Sequence, residues 1–575
     1  MPVKLSERIG RLWPGGEEPT KEVGERRGRA FPRREEWEER DDRPRRPGRF
    51  FTVLKALVLL ALMGATAYLM LERNSYEEIT WYPFALGAFV TVVVTLFVRG
   101  YYEDVPVAGW ALVACLAVLV GVKALSMTWS LSQAETIVEV VRSSMYVAVF
   151  LLALASLSSE KQVAPMMDIA ALIVVAVAGY GIFQKIYPLD YPVSSLDGVR
   201  MDSTVGYANT AAAVIAMGFS LLLARLNASL GILFRSFSAA VLLAFLVAAY
   251  LTVSRGGIFA LVLALALVLV LTVSRLQMLA NLALVLLPFG WLFLRMQELP
   301  GLLGTGVPDE RRVADGLAFR DDLIIALIAA FALQAVYSFF HNRYELEPFG
   351  RRVLGLGAAG LAALAALGAL VFALVRYGGP GGIISTLLDD PTNEQNLTGR
   401  LTSLSIGFRA DYWAVAWDYW LDNFLTGSGA GTFSIVWLRY RDVNTGVQQV
   451  HNLYLEQGVE TGIFAFLALL AFAVGILIYV GRATFLAEDR RRMLLAGLFG
   501  ALVVYLVSSA IEWHWYLPPS TVFFFILAAI AVKYGAMDEA GGLLSRPHDD
   551  ALDGESTEDL EERLARSPNG PSPGR

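Results

Sequence analysis

Four histidines occur among the 575 residues, and one of them has surroundings suited to catalysis. His451 begins the polar and aromatic segment 451–456, which lies just before a long apolar run. Imidazole takes up and releases a proton near neutral pH without large tuning. His451 is therefore a candidate general base, and Asn452 or Glu456 could orient its ring. A structural histidine is the alternative interpretation.

Arginine is the second residue type that could carry out chemistry here. Arg255 follows Ser254 and precedes Gly256 and Gly257, in a tight break between two strongly apolar runs. A cation near hydrocarbon is costly unless it reaches water or a partner, and a guanidinium binds phosphate oxygens in pairs. The two glycines would let a ligand come close, so we predict an anion site at Arg255. The alternative is an arginine that extends to the lipid headgroups.

The remaining histidines and the single cysteine limit the possible chemistry. His514 lies among aromatic residues at 512–516, which we interpret as an aromatic belt at the membrane surface. His341 is expected on the cytoplasmic side, away from His451. Cys115 alone allows neither an intrachain disulfide nor a Cys-based metal site. Because the histidines also lack metal-ligand spacing, we expect no metal and no other cofactor.

These residues must be positioned by membrane-spanning helices. Apolar residues make up 56% of the chain and charged residues 17%, with a mean hydropathy of +0.53. Blocks such as 51–71, 256–273 and 354–375 are long enough to cross a hydrocarbon core of about 30 Å. We predict an all-α, polytopic transmembrane helical bundle of about fourteen spans, within a range of roughly twelve to fourteen. The expected span centres are Leu60, Val90, Val113, Val147, Val174, Ile215, Leu243, Leu265, Leu284, Ala329, Leu364, Leu469, Val503 and Ile526.

The distribution of Lys and Arg predicts the orientation of the bundle. If the N-terminus is cytoplasmic, the short inner loops contain residues such as Arg99, Arg275 and Arg482, whereas the short outer loops are poorer in cations. We therefore predict a multi-pass protein of the cytoplasmic (inner) membrane. Both termini are expected in the cytoplasm, and the longest loop on the periplasmic or extracellular side.

Two polar tails flank the apolar region. Residues 1–50 and 536–575 contain too little apolar surface to fold alone, so we expect disordered cytoplasmic segments on either side of a transmembrane domain at 51–535. The basic run ending at Arg49 is expected to anchor the first span, and nucleic-acid binding is not expected.

The loop at about 376–460 is far longer than an ordinary connector, and such loops are usually functional or disordered. Within it, Trp413, Trp417 and Trp420 recur at helical spacing. We predict an interfacial helix with its tryptophans at headgroup depth, or else a helix packed on the outer face of the bundle. Both arrangements place Arg409 near the membrane surface.

Four short motifs follow one another along the middle of the chain. They are Gly206-Tyr207-Ala208-Asn209-Thr210-Ala211-Ala212, then Ser254-Arg255-Gly256-Gly257, then Arg409-Ala410-Asp411-Tyr412-Trp413 with Leu425-Thr426-Gly427-Ser428-Gly429-Ala430-Gly431-Thr432-Phe433, and finally His451-Asn452-Leu453-Tyr454-Leu455 with Glu460-Thr461-Gly462. In this order they resemble motifs of the O-antigen ligase and polymerase superfamily of integral-membrane glycosyltransferases. The resemblance covers about 202–478. This chain has more expected spans than the family core usually has, and its tails have no counterpart.

The resemblance implies a metal-independent enzyme that transfers a glycan from an undecaprenyl-diphosphate carrier to an acceptor hydroxyl on the outer face of the membrane. Ligases use the lipid A core, polymerases use another glycan repeat, and some relatives use a protein side chain. The expected partners are the lipid-linked glycan, a glycolipid, glycan or protein acceptor, and the bilayer. We expect an O-antigen ligase, with a surface-polysaccharide polymerase or a protein oligosaccharyltransferase as alternatives.

The resemblance also implies roles for individual residues. The lipid diphosphate leaves with negative charge, and without a metal the available means of stabilising it are fixed arginines. Arg255 and Arg409 are the expected diphosphate ligands, with Arg200 and Arg400 as further candidates. His451 is the expected general base on the acceptor hydroxyl. The supporting residues are Asn209, Asn452, Glu456 and Trp413.

A transporter or flippase for lipid-linked glycans is the alternative from another class. Such proteins often contain repeats related through the membrane, with broken helices in matching places, and the sequence shows no such self-similarity. Glu139, Arg142, Asp168 and Lys185 lie near span ends without forming an obvious relay. A third alternative, a scaffold for polysaccharide assembly or export, would not require His451.

Overall fold

A computed structural model describes residues 49–73, 75–195, 198–344, 371–372, 374–388 and 407–537, together with positions 357 and 368. Nearly all of both polar tails, the expected span centred on Leu364, and Arg400 lie outside the described residues. The proposed domain boundaries therefore remain predictions.

The described regular structure is helical. The helices are α1 Arg49–Leu71, α2 Glu78–Leu96, α3 Val107–Ser126, α4 Gln133–Ser156, α5 Val163–Ile186, α6 Ala208–Ala228, α7 Ile232–Leu251, α8 Arg255–Leu271, α9 Arg275–Gln297, α10 Asp309–His341, α11 Pro380–Leu388, α12 Arg409–Asp422, α13 Phe433–Tyr440, α14 Leu453–Leu486, α15 Asp489–Ser508 and α16 Pro518–Gly535. Short 3-10 helices occur at Glu160–Gln162, Pro300–Leu302 and His514–Tyr516.

Within the described ranges, 12 helices are long and apolar enough to cross a membrane, and the shorter α8 is also apolar. Each expected span centre in these ranges falls inside a helix, because long runs of apolar residues leave the backbone no partner in lipid other than its own helical hydrogen bonds. The prediction of an all-α polytopic bundle is confirmed.

Burial separates central helices from peripheral ones. In α6 and α16, 94% of the most apolar stretch is buried, against 28% in α1 and 22% in α2. Helix α6 packs against α5, α7, α8 and α15, and α16 packs against α4 and α15. A helix that is apolar on all sides can be surrounded by other helices or by lipid. The central helices therefore form the core of the bundle, while the outer ones expose apolar faces suited to hydrocarbon.

The helix predicted in the long loop is present as α12, which packs against α13 and α14. Trp420 is buried, with its ring centroid 5.0 Å from that of Phe466, and the Trp413 indole N–H donates to the Val450 carbonyl at 3.1 Å. Trp417 is 50% exposed. The helix is thus packed on the bundle along one face, and its depth relative to a membrane remains a prediction.

Helix α14 is sharply kinked at Gly462, and the segment that follows α12 packs against this kink. Gly462 has φ 72° and ψ −172°, a combination essentially restricted to glycine. A Cβ at this position would lie 2.1 Å from the Leu425 carbonyl oxygen, and the Ile463 N–H donates to the Phe424 carbonyl at 3.0 Å. Glycine is therefore required at position 462 for both backbone conformation and close packing.

Gly462→Ala should destabilise the protein by about 1–3 kcal/mol from backbone strain alone, with a further cost for the steric clash. Thermal unfolding in detergent should show a clearly lower midpoint for this variant. Gly475→Ala in the same helix is the matched control, because its added Cβ would meet Leu112 at an ordinary 3.4 Å. Similar midpoints for the two variants would contradict this account of Gly462.

Candidate functional site

A buried carboxylate, Glu512, collects polar side chains from distant parts of the chain. It lies between α15 and the 3-10 helix His514–Tyr516 and is 4% exposed. The Tyr207 hydroxyl donates to its Oε2 at 2.7 Å, the Asn209 amide donates to its Oε1 at 2.6 Å, and Arg409 forms an ion pair with Oε1. The Nδ1 atom of His451 lies 3.4 Å from Oε2. We refer to these five residues as the Glu512 cluster.

The members of the Glu512 cluster come from the ends of helices. Tyr207 is the N-cap residue of α6, Arg409 is the first residue of α12, and His451 immediately precedes Asn452, the N-cap of α14. His451 has φ 57°, a left-handed conformation that is uncommon for residues other than glycine. Helix ends carry the polar groups that spans cannot carry in lipid, so the cluster lies at one end of the bundle.

Arg200 extends the cluster towards the start of α8. Its Nη2 donates to the Asn209 side-chain oxygen at 2.5 Å, and its Nε donates to the Thr252 carbonyl at 2.8 Å. Arg255 is the first residue of α8 and is half-buried. A Cβ on the next residue, Gly256, would lie 2.6 Å from the Ile511 side chain, beside Glu512. The backbone of the Ser-Arg-Gly turn is therefore adjacent to the Glu512 cluster.

The charges in the cluster keep Glu512 ionised. Burial raises the pKa of Glu512, but the facing Arg409 guanidinium and His451 outweigh burial and lower this pKa to about 2. Glu512 is therefore ionised at neutral pH and is paired with the Arg409 cation. Burial lowers the pKa of Arg409, and the neighbouring Glu512 more than reverses that effect.

Two polar atoms in the cluster are buried without a hydrogen bond of ordinary length among the described residues: Arg409 Nε and His451 Nδ1. Buried polar atoms are nearly always paired in folded proteins. Catalytic hydrogen bonds are often long without substrate and shorten in its presence. A small shift of the His451 ring when a ligand binds would bring Nδ1 into a hydrogen bond with Glu512, 3.4 Å away.

The structure brings together four of the residues singled out from sequence: His451, Arg409, Arg200 and Asn209. Arg255 lies in the adjacent turn. The residue that joins them, Glu512, was missed, although a carboxylate at the end of an apolar run was the available signal. Glu512 belongs to a segment rich in aromatic side chains, a pattern typical of a membrane-surface belt.

Three supporting candidates have other roles. Asn452 caps α14 by accepting from the Tyr454 and Leu455 N–H groups at 3.1 Å, and Glu456 accepts from the Val450 N–H at 3.2 Å. The expectation that one of them orients His451 is corrected, because the carboxylate beside the ring is that of Glu512. Trp413 contacts the Val450 carbonyl and so supports the segment that precedes His451.

The aromatic belt expected at 512–516 is also corrected. His514 is fully buried, with Nδ1 paired to the Thr210 hydroxyl at 2.8 Å. Trp515 is 2% exposed and packs edge-on against Tyr146 at 4.9 Å. The segment turns into the bundle instead of lying along a membrane surface, because the 3-10 helix directs these side chains between α4, α6 and α15.

A second buried carboxylate, Glu460 in α14, holds the glycine-rich motif. The backbone N–H groups of Gly431 and Phe433 donate to its side chain at 2.9 and 3.1 Å, and the Gly429 N–H donates to its carbonyl at 2.7 Å. Gly429 has φ 102° and approaches Ser130 closely. The N–H groups that a phosphate would need are bonded to protein, so this motif shapes the loop.

Among the residues that the structure describes, no three His, Cys, Asp or Glu side chains form a group able to hold a metal ion. Metal independence remains a prediction about the reaction. The polar groups assembled around Glu512 are suited to binding an anion and to exchanging a proton.

The fold and the cluster define a polytopic helical membrane protein with a buried cluster of polar and charged side chains at one end of its bundle. The O-Antigen ligase family model matches residues 323–470, which include α12, α13, His451 and the start of α14. This stretch of the chain is therefore similar to the O-Antigen ligase family, and the match supports a membrane glycosyltransferase of the ligase and polymerase type. A search of curated proteins gives no match.

Because His514 is buried, we expect the stability of the protein to depend on pH between about 4 and 6.5. Burial lowers its pKa from 6.5 to about 4, so below pH 6.5 the unfolded chain binds a proton that the folded chain does not bind. Its contribution to stability is complete above pH 6.5 and is lost as the pH falls towards 4. Thermal unfolding in detergent should show a steeper loss for wild type than for His514→Asn over this interval. The control variant His341→Asn should show the same pH dependence as wild type. If the unfolding midpoints of wild type and His514→Asn fall in parallel as the pH is lowered, the prediction is wrong.

Proposed function

We propose that the protein transfers a glycan from an undecaprenyl-diphosphate carrier to an acceptor hydroxyl at the outer face of the cytoplasmic membrane, as an O-antigen ligase does. The observation that carries this proposal is the meeting of Arg409 and His451 at one ionised carboxylate at an end of the bundle, with Arg200 bonded to Asn209 of the same cluster. A lipid diphosphate donor needs cations for its leaving group and a base for its acceptor. The bilayer supplies the route by which a polyprenyl chain reaches the site.

In the proposed reaction, the acceptor hydroxyl attacks the anomeric carbon of the donor sugar. Nε2 of His451 takes the hydroxyl proton as the new C–O bond forms. The bond from the anomeric carbon to the diphosphate breaks, and its electron pair leaves on the diphosphate oxygen. Arg409, Arg200 and Arg255 stabilise the charge that develops there, because fixed guanidinium groups in a partly dry site need little reorganisation.

Glu512 has two tasks in this mechanism. It faces Nδ1 of His451, which favours the tautomer that carries its proton on Nδ1 and leaves Nε2 free to accept one, the logic of a carboxylate-oriented histidine base. It also holds Arg409 through an ion pair. A single carboxylate therefore sets the relative position of the base and of a diphosphate ligand.

The acceptor distinguishes the enzymatic alternatives. A surface-polysaccharide polymerase or a protein oligosaccharyltransferase would use the same donor groups with a glycan or protein acceptor. The tryptophans of α12 would hold the polyprenyl chain or cover the site. The flippase alternative gains no support from Glu139, Arg142 and Asp168, which form local ion pairs: Glu139 with Lys123 and Arg142, and Asp168 with Arg225.

His451→Ala should lower the rate of transfer by roughly 10²- to 10⁴-fold, the usual contribution of a general base. Purified protein would be given an undecaprenyl-diphosphate glycan and candidate acceptors, and release of the free lipid diphosphate would be followed. Arg255→Ala should also reduce release. His341→Ala is the matched histidine control and should retain wild-type activity. Release that survives His451→Ala but not Arg255→Ala would reject the proposed base, and movement of intact carrier across vesicles by both variants would favour a flippase.

Glu512→Gln should reduce the same transfer rate by roughly 10²- to 10⁴-fold, because the amide neither favours the required tautomer of His451 nor holds Arg409 in position through an ion pair. Its shape is nearly that of glutamate, so a circular dichroism spectrum should confirm that the helices remain. Glu298→Gln, at an exposed carboxylate paired with Arg295, is the control and should leave activity unchanged. Wild-type turnover by Glu512→Gln would show that the carboxylate has no part in the reaction.

A further inference from the structure

A polar and aromatic cavity of about 620 Å³ opens next to the Glu512 cluster. Its volume is within the range of small-molecule sites, about 300–1,000 Å³. It lies between the turn that joins α1 to α2, the segment that leads into α6, and the segment that follows Glu512. Its lining includes Arg73, Tyr76, Pro192, Ser194, Tyr207 and Trp513.

The lining combines aromatic rings with a fixed cation. Tyr76 is 48% exposed, and Trp513 is half-buried. The Arg73 Nη2 donates to the Ser194 hydroxyl at 2.7 Å and to the Pro192 carbonyl at 3.0 Å, and its guanidinium lies 5.9 Å from the centre of the Tyr180 ring. The side chain is therefore held in position before any ligand arrives, which reduces the entropy lost on binding.

This chemistry is suited to a sugar ring. A pyranose has C–H groups that pack on aromatic faces and hydroxyl groups that need hydrogen-bonding partners. Two further cavities, one among α2, α3 and α4 and the other between α1 and α2, have linings made almost wholly of apolar side chains such as Val93, Val147, Leu57 and Phe84. Those cavities are suited to hydrocarbon, whereas the cavity beside Tyr76 is not.

Two side chains belong both to the cavity wall and to the surroundings of the proposed reaction. The Tyr207 hydroxyl donates to Glu512 at 2.7 Å, and the Trp513 ring lies 5.0 Å from the Tyr207 ring and 6.3 Å from the His451 ring. A ligand resting on Tyr207 and Trp513 would therefore be one side chain away from both the carboxylate and the imidazole.

We propose that this cavity is a saccharide subsite, which binds one sugar unit next to the bond that reacts. The proposal rests on the proposed function, because the sugar would belong to the transferred glycan or to the acceptor. Tyr76 supplies an aromatic face, and Arg73 supplies hydrogen bonds to hydroxyl or carboxylate oxygens. Both are binding residues and take no part in proton transfer.

Saturation-transfer difference NMR on the full chain in nanodiscs tests the subsite without requiring catalysis. The probes are the methyl glycosides of glucose, N-acetylglucosamine and glucuronic acid. Wild type and His451→Ala should bind at least one probe. Tyr76→Ala and Arg73→Gln should each weaken binding roughly 3- to 10-fold, the usual effect of losing one such contact. Tyr68→Ala, at an exposed tyrosine of α1 outside the cavity, is the matched control and should bind as wild type.

Absence of binding of all three glycosides to wild type, or equal binding by Tyr76→Ala and Tyr68→Ala, would overturn the saccharide subsite.

In a second measurement, KM values are determined with an undecaprenyl-diphosphate glycan and its acceptor. If Tyr76→Ala raises only the KM for the donor, the subsite binds the transferred glycan. If it raises only the KM for the acceptor, the subsite binds the acceptor. Unchanged KM values for both substrates would again overturn it. A wild-type protein that binds a glycoside through Tyr76 but releases no lipid diphosphate would refute the transferase and support the subsite.

Discussion

Glu512 can remain charged inside the protein because cations and hydrogen-bond donors surround it. An isolated buried carboxylate would bind a proton, since removing a charge from water is expensive. Arg409, Asn209 and Tyr207 compensate Glu512 with short contacts, and 303 positions separate Asn209 from Glu512 in the chain. The assembled site therefore exists only when α6, α12 and the segment after α15 are docked. Loss of one partner from such a buried pair typically costs about 3–5 kcal/mol, so architecture and chemistry are linked here.

A second buried carboxylate, Glu460, helps to fix the long loop that carries Arg409 to Glu512. Glu460 binds the glycine-rich turn, and that turn follows α12 directly, so it limits where Arg409 can lie. A Cβ on Gly458 would lie 2.6 Å from the Trp420 ring, which shows how closely α12 is pressed onto α14. Glycine has two uses in this loop: it allows positive φ at the turn, and it allows close contact at the helix interface. The two carboxylates have separate structural roles: Glu512 binds side chains from distant elements, and Glu460 binds the backbone of the glycine-rich turn.

Much of the fold was predictable because membrane spans obey a local rule. A helix in lipid must satisfy its own backbone, so a run of about 20 apolar residues is enough to identify it. His451, Arg409 and Arg255 were also visible locally, as polar side chains at the borders of such runs. The partner of His451 was not visible. Proximity along the chain suggested Asn452 or Glu456, whereas the carboxylate beside the ring comes from a different element.

Amino-acid order alone establishes the spanning helices, the presence of a helix in the long loop, and the residue types able to bind a diphosphate and move a proton. Tertiary structure decides that Glu512 is the residue around which they meet, that the 512–516 segment turns inward, and that a polar cavity opens beside Tyr207 and Trp513. The physical reason is the distance along the chain over which each effect acts. Hydropathy and backbone preference act over one or two helical turns, but the ionisation of a buried carboxylate depends on which distant side chains the folded bundle places within about 4 Å of it.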